Sequence, residues 1–249
     1  MRICVSGTGS QGKSTFINDF LERWSSYTSP KDTYRKFVKD NHSKNGTKDM
    51  QWKILNNMVD ELQKHDSNEK IIYDRGPLDN LAYTIYLHSH GLGGVDTEFV
   101  EKSMAVAKES FKFIDIIFYI PITKATEDIT YDNDKFLADK ANGITDESYR
   151  LEIDNIFKAL KYDWDVNQAS NIFDPHDKPG LIEIFGTPSE RLHMTGLYLN
   201  ADGELIGGEG DISSILSEAE LMEQQNLKRE MGIVDEITDE IVQNPKGYQ

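Results

Sequence analysis

Apolar residues fall along this chain in two rhythms. Short unbroken runs stand at Ile3-Cys4-Val5, at Ile71-Ile72-Tyr73, over 113–120 (Phe-Ile-Asp-Ile-Ile-Phe-Tyr-Ile) and over 181–185 (Leu-Ile-Glu-Ile-Phe). Runs of this length bounded by breakers read as buried strands, whereas a return every three or four positions reads as an amphipathic helix. Phe16, Ile17, Phe20 and Leu21 predict a helix over about 13–24, and Trp52, Ile54, Leu55, Met58, Val59 and Leu62 predict another over about 50–64. Further helices are expected over 78–87, 97–112 and 146–162, with Ser29-Pro30, Asn45-Gly46, the glycines 91, 93 and 94, and Pro121 as breakers. Residues 25–49 read as loop mixed with short helix. Apolar strands alternating with helices predict an α/β fold, a parallel sheet covered by helices on both faces. Its ligands should lie at the carboxyl ends of the strands.

Past Leu199 the spacing persists more loosely, through Ile212, Ile215, Leu216, Leu227, Val234, Ile237 and Ile241. Two domains are therefore expected, a main one over 1–199 and a helical, acidic C-terminal extension over 200–249. A disordered acidic tail is the second reading of the extension. Charge sharpens this division. The formal net charge of the 249 residues is −16, and residues 200–249 hold twelve acids against Lys228, Arg229 and Lys246. The balance reverses locally, where Lys31, Arg35, Lys36, Lys39, Lys44, Lys48 and Lys53 face Asp32, Asp40 and Asp49. Such a segment suits phosphate, although a solvated helix face accounts for these side chains equally well one by one. The overall acidity disfavours a nucleic-acid partner.

No apolar run approaches the ~20 residues of a membrane span, and no signal-peptide segment follows Met1, so a cytoplasmic protein is expected. The single cysteine, Cys4, lies in the first predicted strand and reads as a small core residue, which excludes a disulfide framework. The six histidines and Cys4 have no metal-ligand spacing.

The most informative local pattern follows the first strand. Gly7, Thr8, Gly9, Ser10, Gln11, Gly12, Lys13, Ser14 and Thr15 spell G-x-x-x-x-G-K-S between a strand and a helix, the arrangement of a phosphate-binding P-loop. Glycines let successive N–H groups face phosphate oxygens, and the helix adds the positive end of its dipole. Lys13 would reach the β- and γ-phosphates of ATP, and the Ser14 hydroxyl would ligate Mg²⁺. The same glycines satisfy the dinucleotide fingerprint G-x-G-x-x-G. That reading requires a strand ending in an acid about 20 positions on, where residues 25–35 instead carry turn chemistry.

A second pattern, Asp74-Arg75-Gly76-Pro77-Leu78-Asp79, begins where the second strand ends. An acid there suits Mg²⁺ or the proton of an attacking hydroxyl, and an adjacent arginine suits a phosphate. The structural alternative is a pair that caps the next helix.

The N-terminal P-loop, the strand ending in Asp-Arg-x-x-x-Asp (Asp74, Arg75, Asp79) and the later strand followed by Gly186-Thr187-Pro188-Ser189-Glu190-Arg191 together resemble a known group over residues 1–195. It is that of the P-loop nucleoside and nucleotide kinases, nearest the thymidylate-kinase-like and nicotinamide-riboside-kinase-like small AAA ATPases, many of them phage-encoded. The resemblance implies a P-loop NTPase fold, ATP and Mg²⁺ as cofactors, and Asp74 and Arg75 serving acceptor and metal. It implies a basic lid over 123–150, with Lys124, Lys135, Lys140 and Arg150 as candidates; Arg150 is the only arginine there, where the group carries several. It also implies an adenine-packing loop at Thr187 and Pro188, which an ordinary capped strand-to-helix turn would explain as well. The acceptor would sit in the insert over 25–64, with Tyr34, Arg35, His42, Lys44, Gln51 and Trp52, and with Asp79 beside it. Tyr34 and Trp52 also suit packing, and His42 a bare surface position.

The expected function is transfer of the ATP γ-phosphate to a small nucleoside or nucleotide, with a homodimer left open and the host cytoplasm as location if the chain is phage-encoded. The alternatives are a kinase acting on a modified nucleotide in phage DNA and an ATP-hydrolysing switch acting on a macromolecule. Such switches carry Asp-Glu at the strand end, where this chain has Asp74-Arg75.

Overall fold

A computed structural model describes residues 1–30, 46–123, 147–166 and 179–206 of the chain. They lie almost wholly in one compact unit, Met1–Glu204; the second unit, Leu205–Gln249, falls outside the described residues except at its first two positions.

Four strands form one parallel sheet: β1 (Arg2–Ser6), β2 (Ile71–Asp74), β3 (Ile116–Tyr119) and β4 (Gly180–Glu183), in the order β2-β1-β3-β4. Six helices accompany them among the described residues: α1 (Lys13–Arg23), α2 (Lys48–Gln63), α3 (Pro77–Ser89), α4 (Thr97–Ser110), α5 (Glu147–Val166) and α6 (Pro188–Thr195). This is the α/β architecture, a parallel sheet accompanied by helices, that the two rhythms predict.

The strand pleat divides the core. Cys4, Ile71, Tyr73, Ile117, Tyr119 and Leu181 point to one face and join a buried cluster with Leu62 of α2, Leu78 and Leu81 of α3, Phe99 of α4 and Ile153 and Phe157 of α5. Alternation turns Ile3, Val5, Ile72, Ile116, Phe118 and Ile182, all buried, to the other face. There α1 supplies Phe16 and Phe20, with the Phe16 and Phe118 rings edge-to-face at 6.0 Å, and α6 packs on α1. Strands buried on both faces have to be apolar throughout, which is why they appear as unbroken runs.

Two boundaries differ from the periodicity. The third strand begins at Ile116, not Phe113, because Phe111–Phe113 continue α4 as a 3-10 turn and the Asp115 carboxylate accepts the Arg2 N–H at 2.6 Å. The last strand ends at Glu183, before the turn at Gly186, whose φ is +83°. Residues after α6 return to the end of α1, where the Trp24 indole donates to the Asn200 carbonyl at 2.9 Å and the Tyr27 hydroxyl to that of Gly203 at 2.6 Å. No described helix is long and apolar enough to cross a membrane.

With β2 on one side of β1 and β3 on the other, the loop after β1 opens at the point where the chain's connections diverge. In parallel α/β sheets this crevice is the ligand site.

Candidate active site

The loop from Gly7 to Gly12 leaves β1 and enters α1. Two of its glycines are required by geometry. Gly7 has φ +138°, and a Cβ there would stand 2.6 Å from the Ile120 carbonyl oxygen; Gly12, the N-cap of α1, has φ +74°. Ser10 also takes a positive φ, +58°. The first turn of α1 contains no acid and receives no side-chain cap, so its dipole end and N–H groups suit an anion. Thr8 and Gln11 turn their side chains inward, at 0% and 2% exposure, so they contribute backbone to the loop. Ser10, Ser14 and Thr15 remain exposed.

Lys13 is buried, and its Nζ folds back to donate to the carbonyls of Gly7, at 2.8 Å, and Thr8. Burial is the main cause that brings its pKa down to about 7; the cations Arg75 and Arg150 add to the depression, while Asp74 and Asp79 oppose it. The Ser14 hydroxyl donates to Asp74 Oδ2 at 3.1 Å. The register explains the meeting. Val5 pairs with Asp74 across β1 and β2, so the end of β2 stands beside the loop's exit. Two hard oxygen donors side by side next to a phosphate loop fit Mg²⁺, which keeps phosphate and water for its remaining positions. No cluster of three or more metal-ligating side chains exists among the described residues.

Arg75 also has a left-handed backbone, φ +78°, the sort of local strain that persists where surrounding structure fixes it. Its N–H donates to the Val5 carbonyl at 3.0 Å, and its Nη1 donates to the Gly7 carbonyl and to Asp79 Oδ1, each at 3.2 Å. The Tyr83 ring lies 5.2 Å from the guanidinium carbon. Asp79 is 1% exposed and accepts from the Ser6 hydroxyl at 2.7 Å, the Gly7 N–H at 3.2 Å and the Gly76 N–H at 3.1 Å. Burial raises its pKa, opposed by Arg75, Lys13 and these hydrogen bonds. The sequence places Asp79 beside the acceptor. In the structure its carboxylate is instead enclosed by protein donors and ties the start of the P-loop to the start of α3, a positioning role.

Of the other expected ATP contacts, Arg150 on α5 is buried, and its Nε donates to the Gly9 carbonyl at 3.0 Å. Thr187 is the N-cap of α6 within a capping box: its hydroxyl accepts the Glu190 N–H and its own N–H donates to Glu190 Oε2 at 2.6 Å. Pro188 occupies the first turn. The side chains of Thr187 and Pro188 are exposed.

On the acceptor side, Gln51 is buried, and its backbone and side-chain carbonyls both accept from the Asn80 amide, at 3.1 and 2.8 Å. Trp52 turns toward α4, 6.0 Å from the Phe99 ring and under the Lys102 ammonium at 4.0 Å. Tyr34, Arg35, His42 and Lys44, the lid lysines Lys124, Lys135 and Lys140, and nearly all of the C-terminal extension lie outside the described residues.

Sequence reasoning names Arg191 only as the end of the Gly186–Arg191 turn and gives it no role at the loop. It stands on the fourth position of α6, is 4% exposed, and donates from Nη1 to the Gln11 carbonyl at 2.7 Å. Its signal was present, since the Thr187 cap sets the phase of the helix, but its direction depends on α6 packing against α1. Lys13, Arg75, Arg150 and Arg191 therefore all donate to loop carbonyls, of Gly7, Thr8, Gly9 and Gln11. They concentrate positive charge at one loop of a chain whose net charge is −16.

The Lys13 pKa has a measurable consequence. Unfolded, a lysine titrates near 10.4. Between pH 7 and about 10 the unfolded chain therefore holds more protons than the folded one, and ligand-free stability should rise with pH across this window. A polyphosphate favours the protonated lysine, so binding takes up a proton and its affinity moves the opposite way. Affinity for a non-hydrolysable ATP analogue should fall by up to about tenfold from pH 7 to 8.5, and Lys13→Met should flatten the slope. Calorimetric titrations in buffers of different ionisation enthalpy measure both the affinity and the proton uptake.

A family model described as an AAA domain matches residues 2–158. No curated protein matches the chain. Among solved structures, deoxyadenosine kinase from M. mycoides with bound dATP is similar at a TM-score of 0.54 and 17% identity, over 78% of this chain and 96% of that one. The same kinase with the products dCMP and a flexible dCDP bound gives a TM-score of 0.50 and 15% identity, over 92% and 100%. Thymidylate kinase from Candida albicans gives 0.49 and 13%, over 78% and 88%. At these identities the likeness is one of fold.

Proposed function

We propose that this chain, which belongs to the AAA domain family, is an ATP-dependent phosphotransferase that moves the γ-phosphoryl group of ATP to a small nucleoside or nucleotide. The observation that carries the reading is the convergence of Ser14, Asp74 and Arg75 on one loop. Asp74 accepts from Ser14 at 3.1 Å, and Arg75 bonds the loop's first carbonyl at 3.2 Å. The fold likeness to deoxyadenosine kinase, one of whose structures holds dATP, supports the same reading.

In this reading the backbone N–H groups of the loop and Lys13 hold the ATP phosphates, which keeps the γ-phosphorus in line with the acceptor. Ser14 and Asp74 would hold Mg²⁺, which supplies charge neutralisation at the phosphates. The acceptor oxygen forms its bond to the γ-phosphorus as the bond to the bridging oxygen of ADP breaks. The hydroxyl proton, for a nucleoside acceptor, passes to Asp74. Arg75 and Arg150 stabilise negative charge beside the loop without moving a proton. The absence of a glutamate next to Asp74 favours transfer over simple hydrolysis, since no second carboxylate adjoins it to polarise water.

A thermal-shift panel with the non-hydrolysable analogue AMP-PNP, Mg²⁺ and each common nucleoside and nucleotide tests the reading. Bound ligand stabilises the fold by RT ln(1 + [L]/Kd). A further rise in melting temperature is expected with one acceptor class beyond the analogue's own shift. A panel in which no small acceptor adds anything would point to the ATP-driven switch instead.

A further inference from the structure

Buried arginines of this protein differ in what balances them. Arg2 lies 3.7 Å from the Asp115 carboxylate and Arg75 lies 3.2 Å from that of Asp79. No carboxylate of a described residue pairs with Arg191, although it is 4% exposed and its Nε has no hydrogen-bond partner. Burial alone lowers its pKa. A guanidinium withdrawn from water without a counter-anion is costly, and packing alone does not account for it, because an apolar side chain of the same volume would fill the space without that cost. The location supplies the missing half. Nη1 bonds the Gln11 carbonyl at 2.7 Å and lies 3.0 Å from where a Cβ on Gly12 would be, so the charge is pressed against the loop one residue before Lys13.

We propose that Arg191 is a phosphate-compensating residue of the loop: its buried charge meets no carboxylate among the described residues, and a polyphosphate bound by residues 7–15 supplies the counter-charge. Its hydrogen bond meanwhile engages the Gln11 carbonyl, so that this oxygen is not presented bare to the ligand's phosphates. The inference rests on the ATP-binding reading and adds to it a residue whose burial is a cost in the empty protein and a gain in the loaded one. A residue that merely braces the loop would stabilise the empty protein as well.

That difference in sign is the test. Arg191→Met and Arg191→Lys are compared with the unaltered chain for melting temperature without ligand and for binding of AMP-PNP with Mg²⁺ and of inorganic pyrophosphate, across a salt series. Arg191→Met removes the charge and keeps the volume; Arg191→Lys keeps the charge and loses the planar fork. The expected result is a ligand-free Arg191→Met protein that melts at or above the unaltered chain, because relief of an unpaired charge outweighs one lost hydrogen bond. It should bind AMP-PNP roughly tenfold or more weakly, with a shallower dependence on salt, and Arg191→Lys should fall between. A Met variant that melts lower, or does not fold, makes Arg191 a brace and overturns the proposal. So does unchanged affinity in a folded variant. If the unaltered chain binds neither probe, the ATP reading itself fails, an outcome distinct from both.

Discussion

Replacing Lys13 by Met is expected to lower phosphoryl transfer by about three orders of magnitude while the protein stays folded. In the proposed reading Lys13 holds the ATP phosphates, and loss of one preorganised group at the site of developing charge costs about 10²–10³ in turnover, more where the group also binds ground-state phosphate. Three orders correspond to about 4 kcal/mol of transition-state stabilisation. The fold should tolerate the change for a specific reason. The Lys13 ammonium is buried and its pKa is driven down to about 7 by that burial, so the charge is a burden to the empty protein. Met fills the same channel without it, and the Gly7 carbonyl that Lys13 leaves retains its bond from Arg75. Circular dichroism and melting temperature check the fold, and initial-rate kinetics check the loss.

Replacing Asp74 by Asn should show a different signature. The amide keeps the size of the side chain and one oxygen beside Ser14, but it neither accepts a proton nor carries the charge that holds a divalent cation. Turnover is expected to fall by about 10²–10⁴, the range for a lost general base, while affinity for the ATP analogue without metal changes by less than about threefold. A kcat loss far larger than the KM change marks an interaction made chiefly in the transition state. If Asp74→Asn kept near-full activity, the assignment of the acid at the end of β2 would be wrong.

How much of this was legible in the sequence varied with the range of the interaction. The P-loop was readable because Gly7 and Gly12 record a local backbone need, and the strand before and helix after supply its context. The strands were readable because burial on both faces demands unbroken apolar runs. Asp74 could be suspected from its place at a strand end. Its bond to Ser14, however, depends on β2 lying beside β1 with Val5 opposite Asp74, a pairing that no local pattern fixes. Asp79 misled for a related reason. A carboxylate in the first turn of a helix suits a cap or a ligand contact equally, and only the closeness of α3 to Ser6 and Gly7 encloses it. Arg191 was legible only as the end of the Gly186–Arg191 turn, with no role of its own, because packing of α6 on α1 is what carries the arginine inward to Gln11.

In the proposed function the loop holds ATP and the Asp74-Arg75 strand end delivers its phosphate to a small acceptor. Incubation with γ-labelled ATP and Mg²⁺ beside a panel of ribo- and deoxyribonucleosides and their monophosphates, followed by separation of the products, tests this directly. The predicted result is label on one acceptor class, appearing faster than inorganic phosphate is released without acceptor, and lost in Lys13→Met and Asp74→Asn. Label found only as inorganic phosphate, at a rate that no small acceptor changes, would contradict it.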